Sequence, residues 1–376
     1  MDYKSLLQRL TESGNLRTIP TGDTAASQPQ LLDLSANDYM GYASDLSLQE
    51  RFFASAGRTS IPLTSSAARL LAGCQEHYHR LEERLGELYG REALLFNSGY
   101  HANTGLVSGL TDSSDIILAD KLVHASIIDG MKLSDAPHNR WRHNDINHLK
   151  RLIKRTREEH PEARIWIVAE SVYSMDGDIA PIDELIEIKE HDNLIMLYID
   201  EAHAVGCMGH RGLGLVADHP KADRVDVIIG TMGKALASQG AYAILSPMLR
   251  QVAVNRCRSF IFSTALPPMA AAWSLFVLEH SIGQDDLRHH LADISARMRH
   301  NLGLEAGTHI VPYIIGDAKR TLDISRKLLD AGIKILPIRT PTVPAGTERL
   351  RISLNASMTP DQIDMVSEAI LKVTKP

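Results

Sequence analysis

Four short polar clusters in the 376-residue chain carry residue types able to do chemistry, and each follows a run of apolar residues. They are Asn97-Ser98-Gly99-Tyr100 after Leu94-Leu95-Phe96, residues 171–178 after Val168-Ala169, Asp200-Glu201-Ala202-His203 after Tyr198-Ile199, and Gly230-Thr231-Met232-Gly233-Lys234 after Val227-Ile228-Ile229. In a parallel sheet, ligands gather beyond the carboxyl ends of the strands, so all four are expected to open onto one sheet edge. Asp200 to His203 would also suit the metal-binding strand end of a helicase-type ATPase. That chemistry requires a phosphate loop of the form GxxxxGK[ST], and the one Gly-Lys pair, Gly233-Lys234, is followed by Ala235, which offers magnesium no hydroxyl.

The same residues suit pyridoxal phosphate (PLP) better. Its pyridine nitrogen needs a carboxylate that keeps it protonated, and Asp200 supplies one. Its aldehyde needs a lysine that can later shuttle the substrate's α-proton, and Lys234 lies after a strand between the small residues Gly233 and Ala235. Its phosphate needs an anion site, which Ser98-Gly99-Tyr100 ahead of the helical run 102–110 would form from free backbone N–H groups. An isolated Asp, Lys or Ser-Gly after a strand is usually structural; three of them in this order are far more specific.

Such positions require a sheet. From about 76 to 245, helical and strand segments alternate as in stacked strand-helix-strand units, which predicts an α/β fold with a mainly parallel sheet. Buried strands read as apolar runs at 116–119, 165–169, 194–199 and 225–229, and amphipathic helices at 77–89, 146–159 and 182–191, with Pro181 suited to a first turn. Beyond Pro267-Pro268, helices are expected over 270–280 and 287–302, then strands near 309–315 and 349–355 with a helix between them. The expected organisation is an N-terminal segment (1–45), a large cofactor-binding α/β domain (46–266), and a linking helix with a smaller α+β domain (267–376). The Thr- and Ser-rich stretch 21–30 reads as a loop.

Composition narrows the partners. A formal net charge of −6 and the absence of a dense Lys/Arg run argue against nucleic acid. The first ten residues mix Asp2, Lys4 and Arg9 with apolar side chains, unlike a signal peptide or membrane span, so a cytoplasmic protein without a membrane partner is expected. Cys74, Cys207 and Cys257 form no CxxC pair and suit a reducing compartment, and the 17 histidines show no HExxH or paired Cys/His spacing, so no metal is expected.

From about Leu34 to the C-terminus the chain resembles the α-oxoamine synthases of the fold-type I PLP enzymes, most strongly their 8-amino-7-oxononanoate synthase branch. The resemblance is carried by Asn37-Asp38-Tyr39, by Arg69-Leu70-Leu71-Ala72-Gly73 leading to Leu81-Glu82, by Asn97-Ser98-Gly99-Tyr100-His101-Ala102-Asn103 and by His124-Ala125-Ser126. It continues through Ser174-Met175-Asp176-Gly177-Asp178, Asp200-Glu201-Ala202-His203, Gly230-Thr231-Met232-Gly233-Lys234 and Pro341-Thr342-Val343-Pro344 with Arg349-Leu350-Arg351.

The resemblance implies that Lys234 forms the Schiff base, that Asp200 pairs with the pyridine nitrogen, that His203 and Ser174 lie near the ring's phenolic oxygen, and that His124 stacks on the ring. It places Ser98, Gly99 and Tyr100 by the ring and phosphate, Thr231 on the phosphate, and Thr264 on the phosphate of a neighbouring subunit, hence a homodimer with shared active sites. Asn37 and Arg351 would hold the amino acid's carboxylate, Arg351 as a two-donor clamp; Arg349, on the same strand face, is the alternative. Read without the resemblance, His124 is a capping or core histidine, Arg351 a solvated strand residue, and Thr264 a turn residue.

The implied reaction is condensation of L-alanine with a pimeloyl thioester of coenzyme A or an acyl-carrier protein, with loss of carbon dioxide, as in biotin synthesis. Glycine or serine with another acyl thioester is the alternative within the family; an aminotransferase or lyase, or a non-catalytic subunit, lies outside it. Two departures bear on the acyl substrate. Thr64-Ser65-Ser66-Ala67-Ala68 stands where relatives are glycine-rich, which is expected to alter a backbone approach, and the usual histidine before Leu81-Glu82 is replaced by Tyr78 or displaced to His77 or His79.

Overall fold

The structure is a computed structural model that describes residues 2–17, 19, 31–56, 61–71 and 75–374. The expected loop at 21–30, together with Ala72, Gly73 and Cys74, lies outside the described residues. The chain forms two compact units. The larger comprises residues 40–173 and 179–288, and the smaller comprises 1–39, 174–178 and 289–376. This division differs from linear boundaries at 45 and 266: the helix Pro268–Ile282 groups with the larger unit, and the N-terminal segment groups with the C-terminal residues. Chain order cannot reveal that, because the smaller unit draws together three separated stretches.

The larger unit is built on a seven-stranded sheet in the order Glu92–Phe96, Ala241–Leu245, Val227–Thr231, Ile195–Asp200, Arg164–Glu170, Asp115–Asp120, His138–Trp141. Ala241–Leu245 runs antiparallel to both its neighbours and every other pair is parallel. Two reversals restore direction, so Glu92–Phe96 runs the same way as Val227–Thr231. Asn97, Asp200 and the Lys234 loop therefore lie beyond the same sheet edge. The inner strands are buried along nearly their whole length, which is why they read as unbroken apolar runs. Two strands differ from these: His138–Trp141 is a mostly exposed polar edge, and Ala241–Leu245, although buried throughout, runs antiparallel to its neighbours.

Helix Gly99–Leu110 packs its apolar residues Ala102, Leu106, Val107 and Leu110 into the core with Phe96, Ile127 and Met131. Helix Ile146–Glu159 starts where Asp145 accepts the backbone N–H of His148, an N-cap that satisfies one of the orphan donors of the first turn. Pro181 sits at the N-cap of Ile182–Glu190, one residue before the first turn in which it was expected.

Within the stretch 64–68, Ser66 adopts φ 52°, in the left-handed region that glycine tolerates best, and its N–H bonds Thr64 Oγ1. Of Tyr78, His77 and His79, Tyr78 is the buried one. It donates to Leu266 O at 2.5 Å and carries the Arg69 guanidinium 4.4 Å above its ring.

Glu201 shows how the loop after Asp200 is fastened. Fully buried, it accepts the N–H groups of Leu215 at 2.7 Å and Val216 at 2.9 Å, and a Cβ on Gly214 (φ +92°) would collide with its Oε2. Burial, opposed by those N–H groups, pushes its pKa up to about 7. The folded state therefore binds this proton more tightly than the unfolded chain. The stabilisation is full below the ordinary carboxylate pKa and is lost as pH rises through about 7. Glu201→Gln is expected to flatten the decline in unfolding free energy between about pH 4.5 and 7, a difference on the order of 3 kcal/mol across that window. Denaturant titrations of both proteins at several pH values check it, and an unchanged slope in the variant would refute it.

The smaller unit holds a three-stranded antiparallel sheet, Leu336–Ile338, Arg349–Ser353, Ile310–Ile314, and a two-residue parallel pairing of Leu32–Asp33 with Ile333–Lys334. Helices Ala318–Asp330 and Pro360–Thr374 bury Ile324, Leu328, Ile363, Val366 and Ile370. Arg349–Ser353 is the central strand and is buried throughout, so both of its arginines are interior rather than solvated. Among the described residues, no helix is long and apolar enough to cross a membrane, and no cluster of His, Cys, Asp or Glu could hold a metal ion.

Candidate active site

Lys234 lies in the loop joining the antiparallel strands Val227–Thr231 and Ala241–Leu245. Backbone bonds close this loop: Met232 N to Gly240 O at 3.0 Å, Ser238 N to Met232 O at 2.8 Å, and Ala237 N to Lys234 O at 2.9 Å. The lysine's partly buried Nζ is 2.8 Å from Nε2 of His203, which follows the neighbouring strand. Sheet pairing thus brings together the amine and an imidazole 31 residues apart.

Asp200, at the end of Ile195–Asp200, is only 4% exposed. Its Oδ2 accepts from Asn103 Nδ2 at 2.7 Å and its Oδ1 from the Ala202 N–H at 2.8 Å. No Lys, Arg or His among the described residues pairs with it within 4.0 Å. A buried carboxylate held only by neutral donors calls for a cation, since an uncompensated buried charge is costly.

Glu170 is the direct sheet partner of Asp200 and accepts the backbone N–H of His124. Burial and the nearby Asp200 charge raise its pKa well above the usual carboxylate range. It can therefore sit beside Asp200 as a neutral acid.

His124 is the N-cap of helix Ala125–Leu133, with Nδ1 turned to the helix start. Its exposed ring keeps Nε2 clear of the described residues. Packing behind the ring, opposed by Asp200, holds its pKa below the ordinary histidine value. The capping role and an open ring face coexist in one residue.

At the start of Gly99–Leu110, the Ser98 hydroxyl caps the helix by accepting from His101 N at 3.2 Å and lies 2.8 Å from His101 Nδ1. A Cβ built on Gly99 would stand 4.0 Å from the Thr231 side chain, so the first helical turn and the end of Val227–Thr231 adjoin. Helix starts leave such backbone N–H groups for an anion. The Thr231 hydroxyl is engaged within the Lys234 loop, donating to Gly240 O and accepting from Gly233 N. The Tyr100 hydroxyl reaches Asp129 at 2.5 Å, and Thr264 is exposed, its carbonyl accepting from Asn97.

An amine, a buried carboxylate without a counter-ion, an imidazole and a helix start with an adjoining hydroxyl compose the donor set that PLP requires. Lys234 could hold its aldehyde, Asp200 its ring nitrogen, and the Ser98–Tyr100 turn with Thr231 its phosphate.

Ser174 and the two arginines belong to the smaller unit. Arg351, 3% exposed, donates from Nε to Ser174 O at 2.6 Å, from one terminal nitrogen to Asn37 Oδ1 at 3.1 Å and Ser353 Oγ at 2.5 Å, and from the other to Tyr39 OH at 3.3 Å. Every one of these acceptors is neutral. Arg349 instead forms an ion pair with Asp176 at 2.6 Å.

Tyr39 also donates to Asn37 Oδ1, so that oxygen is committed twice and Asn37 Nδ2 keeps its protons for a ligand. The two-donor fork expected of Arg351 is largely occupied by protein. One N–H of Arg351 with the Asn37 amide is the available carboxylate site.

Sequence reasoning left Asn103, Ser126, Tyr198 and Glu170 without roles. Asn103 and Ser126 stand inside segments that carried the resemblance, and Tyr198 lies two residues before Asp200 on one strand, hence on the same face.

The family model of class I and II aminotransferases matches residues 29–370. A relative from Glaesserella parasuis serovar 5, provisionally named 8-amino-7-oxononanoate synthase, is 43% identical over 369 residues, covering 95% of this chain and 96% of its own. The solved serine palmitoyltransferase from S. paucimobilis with bound PLP-myriocin is 26% identical with a TM-score of 0.86, over 98% of this chain and 96% of that one. The 8-amino-7-oxononanoate synthase of Francisella tularensis is 25% identical with a TM-score of 0.73, over 91% and 97%. The cofactor is accordingly pyridoxal phosphate, and the chain belongs to the class I and II aminotransferase family and, within it, to the α-oxoamine synthases, as a PLP-dependent acyltransferase of the 8-amino-7-oxononanoate synthase type.

Proposed function

We propose that this enzyme joins L-alanine to a pimeloyl thioester, carried by coenzyme A or an acyl-carrier protein, releasing carbon dioxide, the free thiol and 8-amino-7-oxononanoate for biotin synthesis. The observation that carries the reading is the near full-length 43% identity to a relative bearing that name, in a chain that presents the matching amine, carboxylate and buried guanidinium. Bound at Lys234, the cofactor supplies an electron sink for negative charge at the amino acid's α-carbon.

The protein's own groups do the rest. Lys234 Nζ would accept the substrate's α-proton and later return it. His203 Nε2 accepts from that nitrogen and orients it. Asp200 would hold the ring nitrogen, and the neutral imidazole of His124 would lie against the ring. Ser98, Gly99, Tyr100 and Thr231 receive the phosphate, while Ser174 acts on Arg351 through its carbonyl. Asn37 and Arg351 hold the amino acid's carboxylate until it leaves as carbon dioxide. Thr264 is assigned to the phosphate of the partner subunit in a homodimer.

A second reading, serine with a long acyl thioester, is favoured by one observation: serine palmitoyltransferase structures match at TM-scores of 0.81 to 0.87, above the 0.73 of the Francisella enzyme. Visible absorption titrations of the holoenzyme with L-alanine, glycine and L-serine, followed by pimeloyl-CoA or palmitoyl-CoA and thiol detection, separate the two. Alanine is expected to perturb the cofactor band at the lowest concentration, with thiol freed by pimeloyl-CoA. Preference for serine and palmitoyl-CoA would move the substrate assignment to the second reading.

A further inference from the structure

Behind Asp200 and His124 lies a chain of buried polar groups with no assigned task. Tyr198, Asn103 and Ser126 are each at most 2% exposed. Tyr198 donates its hydroxyl proton to Asn103 Oδ1 at 2.7 Å. Asn103 Nδ2 donates to Asp200 Oδ2 at 2.7 Å and to Ser126 Oγ at 2.9 Å. Ser126 Oγ is 2.7 Å from His124 Nδ1, and the Ser126 backbone N–H points to the same nitrogen at 3.2 Å.

The direction of every bond follows from counting protons. The phenol has one proton, and an amide oxygen only accepts, so Tyr198 orients the Asn103 amide. The two amide protons then go to Asp200, an acceptor when ionised, and to Ser126. Ser126 Oγ, already accepting, turns its own proton to His124 Nδ1. That nitrogen also faces the Ser126 N–H and must be unprotonated, so the neutral ring carries its proton on Nε2.

Protonating Nδ1 would set two N–H groups against each other, the ring's and that of Ser126, and would leave the Ser126 hydroxyl proton without its acceptor. The Asp200 carboxylate and a neutral, Nε2-protonated His124 are therefore the two ends of one oriented chain.

We infer that Tyr198, Asn103 and Ser126 are positioning residues that orient the Asp200 carboxylate and lock His124 in its neutral Nε2–H form. The inference rests on the proposed assignment of Asp200 and His124 to the cofactor. It adds a reason for the buried amide: without the Asn103 N–H, the carboxylate would lose the one side-chain donor that Oδ2 has among the described residues. The ionisable groups acting on His124 are Asp200, Lys234 and Asp129, with Glu170 accepting its backbone N–H. These exert opposing pulls, so a fixed tautomer requires the relay rather than net charge.

The test reads the ring directly. Nitrogen NMR of 15N-histidine-labelled holoenzyme without substrate, with the His124 signal identified by its loss in His124→Asn, is expected to show Nδ1 unprotonated across the neutral range. In Ser126→Ala the titration midpoint should rise by about one pH unit, and the nearly isosteric Tyr198→Phe should move it the same way by less. The pH profile of the holoenzyme's visible band should shift in Asn103→Ala, because Asp200 there loses its amide donor. A purely structural role would lower melting temperatures without moving ring tautomer or midpoint. Protonated Nδ1 in the wild type, or an unmoved midpoint in both folded variants, overturns the relay while leaving the cofactor assignment standing. A protein that takes up no PLP and shows no visible band overturns both.

Discussion

Lys234→Ala is expected to lower turnover by at least about 10⁴-fold while leaving the fold intact. The Lys234 loop is closed by backbone bonds from Met232, Ala237 and Ser238 and does not depend on the lysine side chain for its shape. The proposed role makes the loss severe, because one amine both holds the cofactor and moves the α-proton, and no second lysine stands in the loop. Lys234→Arg should fail equally, since a guanidinium stays protonated near neutrality and cannot accept the proton.

Two measurements separate the tasks: thiol release from the acyl thioester, and exchange of the alanine α-proton with deuterated solvent. Both should vanish in either variant, with circular dichroism unchanged. A Lys234→Ala protein that kept near-normal thiol release would remove Lys234 from the mechanism.

The sheet was legible in the sequence where strands are buried on both faces. Ile116, Ile165 and their neighbours spell continuous apolar runs because helices cover both sides. His138–Trp141 was not legible, since an exposed edge strand places polar residues where an interior one would show valine or isoleucine. Asp200 and Lys234 could be found because both follow such runs. The relay was harder to see: Asn103 and Ser126 sit in helical segments whose polar residues usually face water, and only pairing across three elements shows that they face each other. Equally, the choice between Arg349 and Arg351 was open because strand alternation puts both on one face. What distinguishes them is Asp176, a residue 173 positions away from Arg349 in sequence.

That distinction yields the second large effect. Arg351→Met is expected to raise KM for the amino acid by about 100-fold, close to 3 kcal/mol, and to leave KM for the acyl thioester nearly unchanged. Among the described residues the buried guanidinium meets neutral acceptors alone, so a substrate carboxylate would give it an anionic partner in a surrounding that screens the attraction weakly. Arg351→Lys should recover little. An ammonium offers three donors from one point and cannot span Ser174 O, Asn37 and Ser353 while also meeting a ligand.

Arg349→Met is the control. It removes the partner of Asp176, a carboxylate with a third of its side chain exposed, and should cost about 1–2 kcal/mol of stability with KM for the amino acid preserved. Initial-rate kinetics in both substrates, alongside denaturant melts, read all three variants. If Arg349→Met raised KM for alanine and Arg351→Met did not, the carboxylate would have to be reassigned to Arg349, and Asp176 would then be an ion that the substrate displaces rather than a permanent partner.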